Sequence, residues 1–161
     1  MRQLYLIRHA EAANRLLIQT DLERTLTTEG LLDAQRLGHY LSQHAIDQII
    51  YSHAVRTTQT ALAINQSLQL PSERLVKSSV LYHADVTTLL EVARAIEDHV
   101  SEVAMVAHNP TISAFASTLS LERVPAFSPA QVVALAFNID SWNQLRQQSG
   151  QLSFVYNPVE K

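Results

Sequence analysis

Leu4-Tyr5-Leu6-Ile7-Arg8-His9-Ala10 sets four apolar residues directly ahead of an arginine and a histidine. Such a run reads as a buried strand, here Gln3 to Ile7, that delivers both polar side chains at its carboxyl end. The pattern recurs twice. Val103 to Ala107 reads as another buried strand and leads into His108-Asn109-Pro110, while Gln48 to Tyr51 is a shorter one that leads into Ser52-His53-Ala54-Val55-Arg56. Helical spacing fills the intervals. Leu31, Ala34, Leu37 and Leu41 mark a helix capped at Thr27-Thr28 and running to about Gln43, and a second runs from near Arg56 to Leu68, stopping before Pro71. Val86, Leu89, Leu90, Ala93 and Ile96 mark a third, and Ile112, Phe115, Ala116 and Leu119 a fourth. Toward the end, Gln131 to Phe137 and Gln151 to Tyr156 read as strands joined by a polar connection containing Trp142 and Gly150. The expected fold is α/β: a mainly parallel sheet flanked by helices on both faces, a three-layer α/β/α arrangement, with an antiparallel element near the end.

Length and composition fit a single domain over 1–161, long enough to bury roughly 70% of the surface its unfolded form would expose. Hydrophobic residues make up 47% and charged residues 17%, an ordinary globular balance. A formal charge of -3 and a pI near 6.1 argue against nucleic acid or an anionic membrane as partner, since both need a basic face. Any anion site must be a local concentration of arginine. With no cysteine there is no disulfide framework, no Cys-zinc site and no cysteine nucleophile. The apolar run at the N-terminus is too short for a signal peptide and none approaches a membrane span, so a cytoplasmic address is expected by default.

Open α/β sheets bind ligands at the carboxyl ends of their strands, so Arg8, His9, Ser52, Arg56 and His108 are expected to converge there. Two histidines and two arginines are what a phosphate-handling site needs if it uses neither cysteine nor metal. The three glycines form no phosphate-binding loop, no two aspartates lie two apart, and there is no Gly-x-Ser-x-Gly elbow. No histidine pair has the His-x-x-x-His spacing of a zinc site. A metal held by His9, His53, His83 and His108 is conceivable, but hydrolytic metal sites usually add carboxylates, so neither metal nor cofactor is expected.

Taken together, Arg8-His9-Ala10, Leu26-Thr27-Thr28-Glu29-Gly30, Ser52 to Ala61 and His108-Asn109-Pro110 resemble the histidine phosphatase superfamily, the phosphoglycerate mutase-like fold. The small SixA-type phosphohistidine phosphatases are the branch most resembled, in a minimal form without a lid insertion. The likeness runs from Leu4 to about Ala116. Ala10 stands where the family usually has glycine. The resemblance implies that His9 is the nucleophile, that Arg8 and Arg56 bracket the phosphoryl group, and that His108 completes the cradle as a donor. A neutral imidazole nitrogen attacks phosphorus without a separate base if the other nitrogen is held by a partner, for which a backbone carbonyl is suited. Guanidinium forks match phosphate oxygens and keep their charge in a desolvated pocket.

Asp21-Leu22-Glu23-Arg24-Thr25-Leu26-Thr27 resembles the Asp-x-x-Arg-Pro-Leu-Thr stretch of the SixA branch, with Thr25 replacing proline. Arg24 then either contacts substrate phosphate or forms a salt bridge to Asp21. Asn109 either offers its amide to the phosphate or caps the following helix, and Ser52 either hydrogen-bonds near the site or forms a turn. The glutamate that protonates a leaving alkoxide in mutases and phosphomonoesterases of the superfamily has no clear counterpart in Ser78 to Asp85; His83 or Asp85 would have to replace it. Phosphohistidine releases imidazole, a far better leaving group. The expectation is a metal-independent phosphatase acting on phosphohistidine in a signalling or carrier protein, such as a histidine phosphotransfer domain. The alternatives are a small-molecule phosphomonoesterase with the same cradle and a phosphate-binding module without turnover.

Overall fold

The structure, a computed structural model, describes residues 1–159. Six strands form one sheet: β1 (Arg2–Arg8), β2 (Gln48–Ser52), β3 (Leu75–Ser78), β4 (Glu102–Ala107), β5 (Val132–Phe137) and β6 (Gln151–Tyr156). Four helices accompany them: α1 (Thr28–Leu41), α2 (Val55–Leu68), α3 (Val86–Arg94) and α4 (Thr111–Leu119). The strand order is β3-β2-β4-β1-β5-β6. The first four of these strands pair in parallel, while β5 pairs antiparallel with both β1 and β6.

The near-continuous apolar runs of β1 and β4 follow from their central place, where both faces are covered. Leu4 and Leu6 join Val103, Met105, Val133 and Leu135 in a core with α3 and α4. Alternate residues Tyr5 and Ile7 join Ala104, Val106, Val132 and Ala134 against α1 and α2. The period of two along each strand thus sorts side chains to two helical layers, giving the three-layer α/β/α arrangement.

Three details depart from the sequence reading. The edge strand β3 was not expected, since Leu75-Val76-Lys77-Ser78 has no fully buried residue to mark it. Leu31 faces solvent, and the buried stripe of α1 is instead Gly30, Asp33, Ala34, Leu37, Gly38 and Leu41. Trp142, placed in a polar connection, is fully buried, with its indole N–H donating to the Val100 carbonyl at 2.7 Å.

The segment after β1 is fixed by close packing. A Cβ on Gly30 would lie 2.2 Å from the Glu11 carbonyl oxygen, so only glycine lets the start of α1 approach that loop. Thr27 caps α1 by accepting from the Gly30 N–H at 2.9 Å, and its own N–H donates to the Glu11 carbonyl. On the α2 side, the Ala10 N–H donates to Thr60 Oγ1 at 3.0 Å. The residues flanking His9 are therefore held by both helices of one layer.

Candidate active site

Register brings the three polar strand ends level. Arg8 pairs with Ala107 across β1 and β4, and Tyr51 pairs with Val106 across β2 and β4, so Arg8-His9, Ser52-His53 and His108 emerge together. The His9 N–H prolongs the ladder by donating to the Ala107 carbonyl at 3.1 Å. The rings of His9 and His108 have centroids 5.4 Å apart.

His9 Nδ1 lies 2.7 Å from the Ala10 carbonyl oxygen. A carbonyl only accepts, so Nδ1 carries the proton and Nε2 keeps its lone pair. Burial, reinforced by the positive charges of Arg56, Arg8 and Arg24, holds the His9 pKa down at about 4 against the opposing pull of the Ala10 carbonyl. His9 is thus a neutral imidazole at neutral pH, with a fixed tautomer and one basic nitrogen.

His108 is held down at about 3, first by burial and then by the fields of His9 and Arg56. Its Nε2 lies 2.9 Å from Ser52 Oγ. Ser52 is fully buried at the end of β2 and also accepts from the Ala54 N–H at 3.5 Å, which leaves its hydroxyl proton free for the histidine. The tautomer that serves an oxyanion has Ser52 donating to Nε2 and the proton of His108 on Nδ1, which has no partner in the protein. That arrangement makes Nδ1 the donor for a ligand oxygen.

The arginines arrive from three elements. Arg8 donates one Nη to the Phe127 carbonyl at 2.9 Å. Arg56, in the first turn of α2, is buried and spends both Nη groups on Asp21: on its main-chain oxygen at 2.7 Å and on Oδ2 at 2.9 Å. Arg24 donates to Asp21 Oδ1 at 3.2 Å and to the Ala13 carbonyl at 3.0 Å. Asp21 takes Arg56 and Arg24 but not Arg8, so this corner holds three guanidinium groups to one carboxylate and is positive in a chain whose formal charge is -3.

Among the described residues, six buried side-chain nitrogen or oxygen atoms lack a hydrogen-bond partner, and four of them belong to this corner: Arg8 Nε, His53 Nδ1, Arg56 Nε and His108 Nδ1. Buried polar groups are ordinarily satisfied, so their concentration around one free imidazole nitrogen marks a ligand site. The ligand they suit is an oxyanion, which accepts several hydrogen bonds at once. Among the described residues, no three His, Asp or Glu side chains converge as a metal site.

Residues 4–76 match the histidine phosphatase superfamily (branch 1). Over that stretch the chain carries the superfamily's pattern. The solved structures agree: a protein assigned as phosphohistidine phosphatase SixA from Nakamurella multipartitia is 27% identical, with a TM-score of 0.82 over 98% of this chain and 96% of that one. The protein histidine phosphatase SixA, solved with tungstate, has the same fold at 22% identity, with a TM-score of 0.81 over 97% of each chain. An uncharacterized protein of Mycobacterium leprae is 27% identical over 148 residues, 86% of this chain and 89% of that protein. The fold is thus that of the SixA and phosphoglycerate mutase-like proteins, and the chain is a phosphatase.

Against that family pattern, this chain brings Arg8, His9, Arg56 and His108 together and gives the other named residues more specific places. Arg24 forms the salt bridge to Asp21 and still contributes to the field at His9. Ser52 is sealed from solvent and reaches a ligand only through His108. The Asn109 side chain neither caps α4, whose N-cap is Pro110, nor stands free. Its amide donates to the Phe127 carbonyl at 3.0 Å, the same oxygen that takes Arg8, and its Oδ1 accepts from Ser113 Oγ at 2.5 Å. Asn109 thus supports Arg8 through a shared carbonyl.

Of the two substitute acids, Asp85 is exposed and engaged as the N-cap of α3, and the Thr88 N–H and hydroxyl lower its pKa. His83 is exposed, its ring edge-on to Tyr82 with centroids 4.3 Å apart.

The sequence reading assigned no function to the pair Asp21 and Tyr82. The Tyr82 hydroxyl donates to Asp21 Oδ2, the oxygen that also takes Arg56. Its ring meets His108 and His53 edge-on, each with centroids 5.5 Å away. The Tyr82 hydroxyl, followed by Arg56 and Arg24, holds the Asp21 carboxyl far below the usual carboxylate range, so it is ionised at any working pH. The Asp-x-x-Arg motif was the available signal for Asp21. The tyrosine, 61 residues further on, lies in Leu81-Tyr82-His83-Ala84, which resembles the corresponding SixA-like segment, but nothing local marked its contact with Asp21, which arises only when β3 places its carboxyl end beside β2.

Proposed function

We propose that the protein is a metal-independent phosphohistidine phosphatase acting on a signalling or carrier protein, such as a histidine phosphotransfer domain. The observation that carries the reading is the lone pair on His9 Nε2, set by the Nδ1–H to Ala10 bond amid the unpartnered donors of Arg8, Arg56 and His108. The phosphoryl oxygens take Arg8, Arg56 and the Nδ1–H of His108, with Arg24 adding charge and Asn109 and Ser52 holding Arg8 and His108. His9 Nε2 attacks phosphorus, the P–N bond of the substrate breaks, and the departing imidazole keeps the electron pair and takes up a proton. Water then attacks the phosphorus on His9, yielding inorganic phosphate and the free imidazole. The arginines neutralise charge on the transferring group, the largest catalytic effect available to such a site.

Two observations favour a P–N over a P–O bond. Asp85 is an ionised helix cap and His83 is exposed, so neither is a placed acid for an alkoxide. General acid help is worth about a hundred- to ten-thousand-fold, and imidazole departs without most of it. The tungstate-bound SixA relative points to an oxyanion in the same fold. A phosphotransfer domain as substrate would put the reaction in the cytoplasm. No helix among the described residues is long and apolar enough to cross a membrane.

The test is kcat/KM for a phosphohistidine protein, a phosphoserine peptide and a set of sugar phosphates, each with and without a chelator. The phosphohistidine protein should lead, and chelation should change nothing. A phosphate ester preferred over it, with that preference lost in His83→Ala or Asp85→Ala, would assign the protein to small-molecule phosphomonoesters. Activity lost to the chelator and restored by zinc or manganese would reassign the histidines as ligands.

A further inference from the structure

We infer that Leu16-Leu17-Ile18 is a docking element for the protein that presents the phosphohistidine, an inference that rests on the reading of a protein-borne substrate. These three aliphatic residues follow one another at a loop tip, Leu16 63% exposed, Leu17 fully exposed and Ile18 94% exposed. Turns are ordinarily built from polar residues, and contiguous exposed apolar side chains mark interaction sites.

The loop holds its shape without using those side chains. The Ala13 N–H donates to the Thr25 carbonyl at 2.8 Å, Ala12 bridges to Leu26, and Arg24 Nε holds the Ala13 carbonyl. At the tip, the Gln19 N–H donates to the Leu16 carbonyl at 3.0 Å and the Leu16 N–H donates to Gln19 Oε1 at 3.1 Å. A backbone closed on itself therefore presents the three side chains outward.

Both ends of this loop lie in the candidate active site. It leaves from Ala10, whose carbonyl fixes His9, and returns at Asp21, whose carboxylate takes Arg56 and Arg24. Val80, 54% exposed, lies two residues from Tyr82 on the neighbouring loop, and Tyr82 ties the two loops together through Asp21. The rim beside the positive centre thus carries apolar side chains from two loops at the carboxyl edge of the sheet. A phosphohistidine on a protein surface brings the residues around it onto this rim, and the complementary partner is a protein with an apolar patch flanking its phosphorylated histidine. A small phosphoryl donor reaches His9 without touching the tip.

The test compares wild type with the triple variant Leu16→Ser, Leu17→Ser, Ile18→Ser on two P–N substrates. One is a histidine phosphotransfer domain phosphorylated with phosphoramidate, and the other is phosphoramidate itself. The variant should lose at least about tenfold in kcat/KM on the phosphorylated domain, mostly through KM, about 1.4 kcal/mol of binding. Its turnover of phosphoramidate should stay within about twofold, which also shows that it has folded. Equal losses on both substrates, or none on the domain, would overturn the docking role. So would a wild-type dimer, or binding to phospholipid vesicles, that the variant abolishes, since the tip would then serve self-association or a membrane. If wild type turns over the domain no faster than phosphoramidate, the substrate reading itself fails, whatever the variant does.

Discussion

β1 carries an arginine near each end, and the two are used in opposite ways. Arg2 is buried, and its Nη groups donate to the carbonyls of Asp98, Val100 and Asp140 and to the Ser101 hydroxyl. Arg8, at the carboxyl end, has a single such bond, to Phe127. Burial also lowers its pKa with no acid beside it to offset the loss of water. A buried cation whose Nη groups are taken up by carbonyls, with only Nε unpartnered, staples the amino edge of the sheet to the loops before β4 and after β5. A half-buried cation left short of acceptors is held for a ligand. The contrast extends to the surroundings: Trp142, next to the Arg2 end, is fully buried and satisfied, while the Arg8 end collects His53, Arg56 and His108 with unpartnered nitrogens.

The comparison is most easily broken at Arg8. Arg8→Ala should lower kcat/KM by about a hundred- to a thousand-fold, the cost of removing one preorganised donor from a developing oxyanion, with stability changing by less than about 1 kcal/mol. A large loss of melting temperature with activity kept per folded molecule would make Arg8 a structural residue like Arg2.

Arg2→Ala should do the reverse. Removing it strands several carbonyls and costs about 3 kcal/mol, lowering Tm by roughly 6–12 °C for a chain of this size. Turnover of the folded variant at low temperature should match wild type. A specific loss of activity there would mean that strain passes along β1 to His9.

Tyr82→Phe keeps the ring against His108 and deletes only the hydroxyl bond to Asp21. The expected effect is a rise in KM of about three- to tenfold with kcat nearly unchanged, in line with the roughly 1 kcal/mol net worth of one hydrogen bond. An equal loss in kcat would bring the hydroxyl into the chemical step.

The smallest expected effect is a displacement in pH. Because the pKa of His9 is about 4, the acid limb of kcat/KM should lie near there and not near the ordinary histidine value of about 6.5. Arg24→Gln removes one of the charges responsible and should move the limb upward, by less than the full distance, since burial is the largest cause. Stability should follow the same sign: below about pH 6.5 the unfolded chain binds protons that folded His9 and His108 refuse, so stability falls as pH drops toward 4. An acid limb near 6.5 in wild type would show that His9 is not the group titrating.

How much of this was legible in the sequence depended on whether a signal was local. Central strands announce themselves because both faces are buried, and their ends fixed Arg8, His9, Ser52 and His108. The edge strand β3 did not, with half its residues in solvent. Arg24 could be placed beside Asp21 because the two lie three residues apart. Tyr82 could not, because its link to Asp21 depends on the sheet order. The Asn109 amide was visible as a residue but not as the partner of Phe127, a carbonyl in an irregular segment that no pattern marks.

The central claim is that His9 carries the phosphoryl group. Rapid acid-free quenching of the enzyme with a radiolabelled phosphohistidine protein, followed by peptide mapping, tests it directly. The account predicts label on His9 at Nε2, as an acid-labile, base-stable phosphoramidate, and no label and no turnover in a folded His9→Ala variant. Label on any other residue, or turnover surviving in His9→Ala, would contradict it.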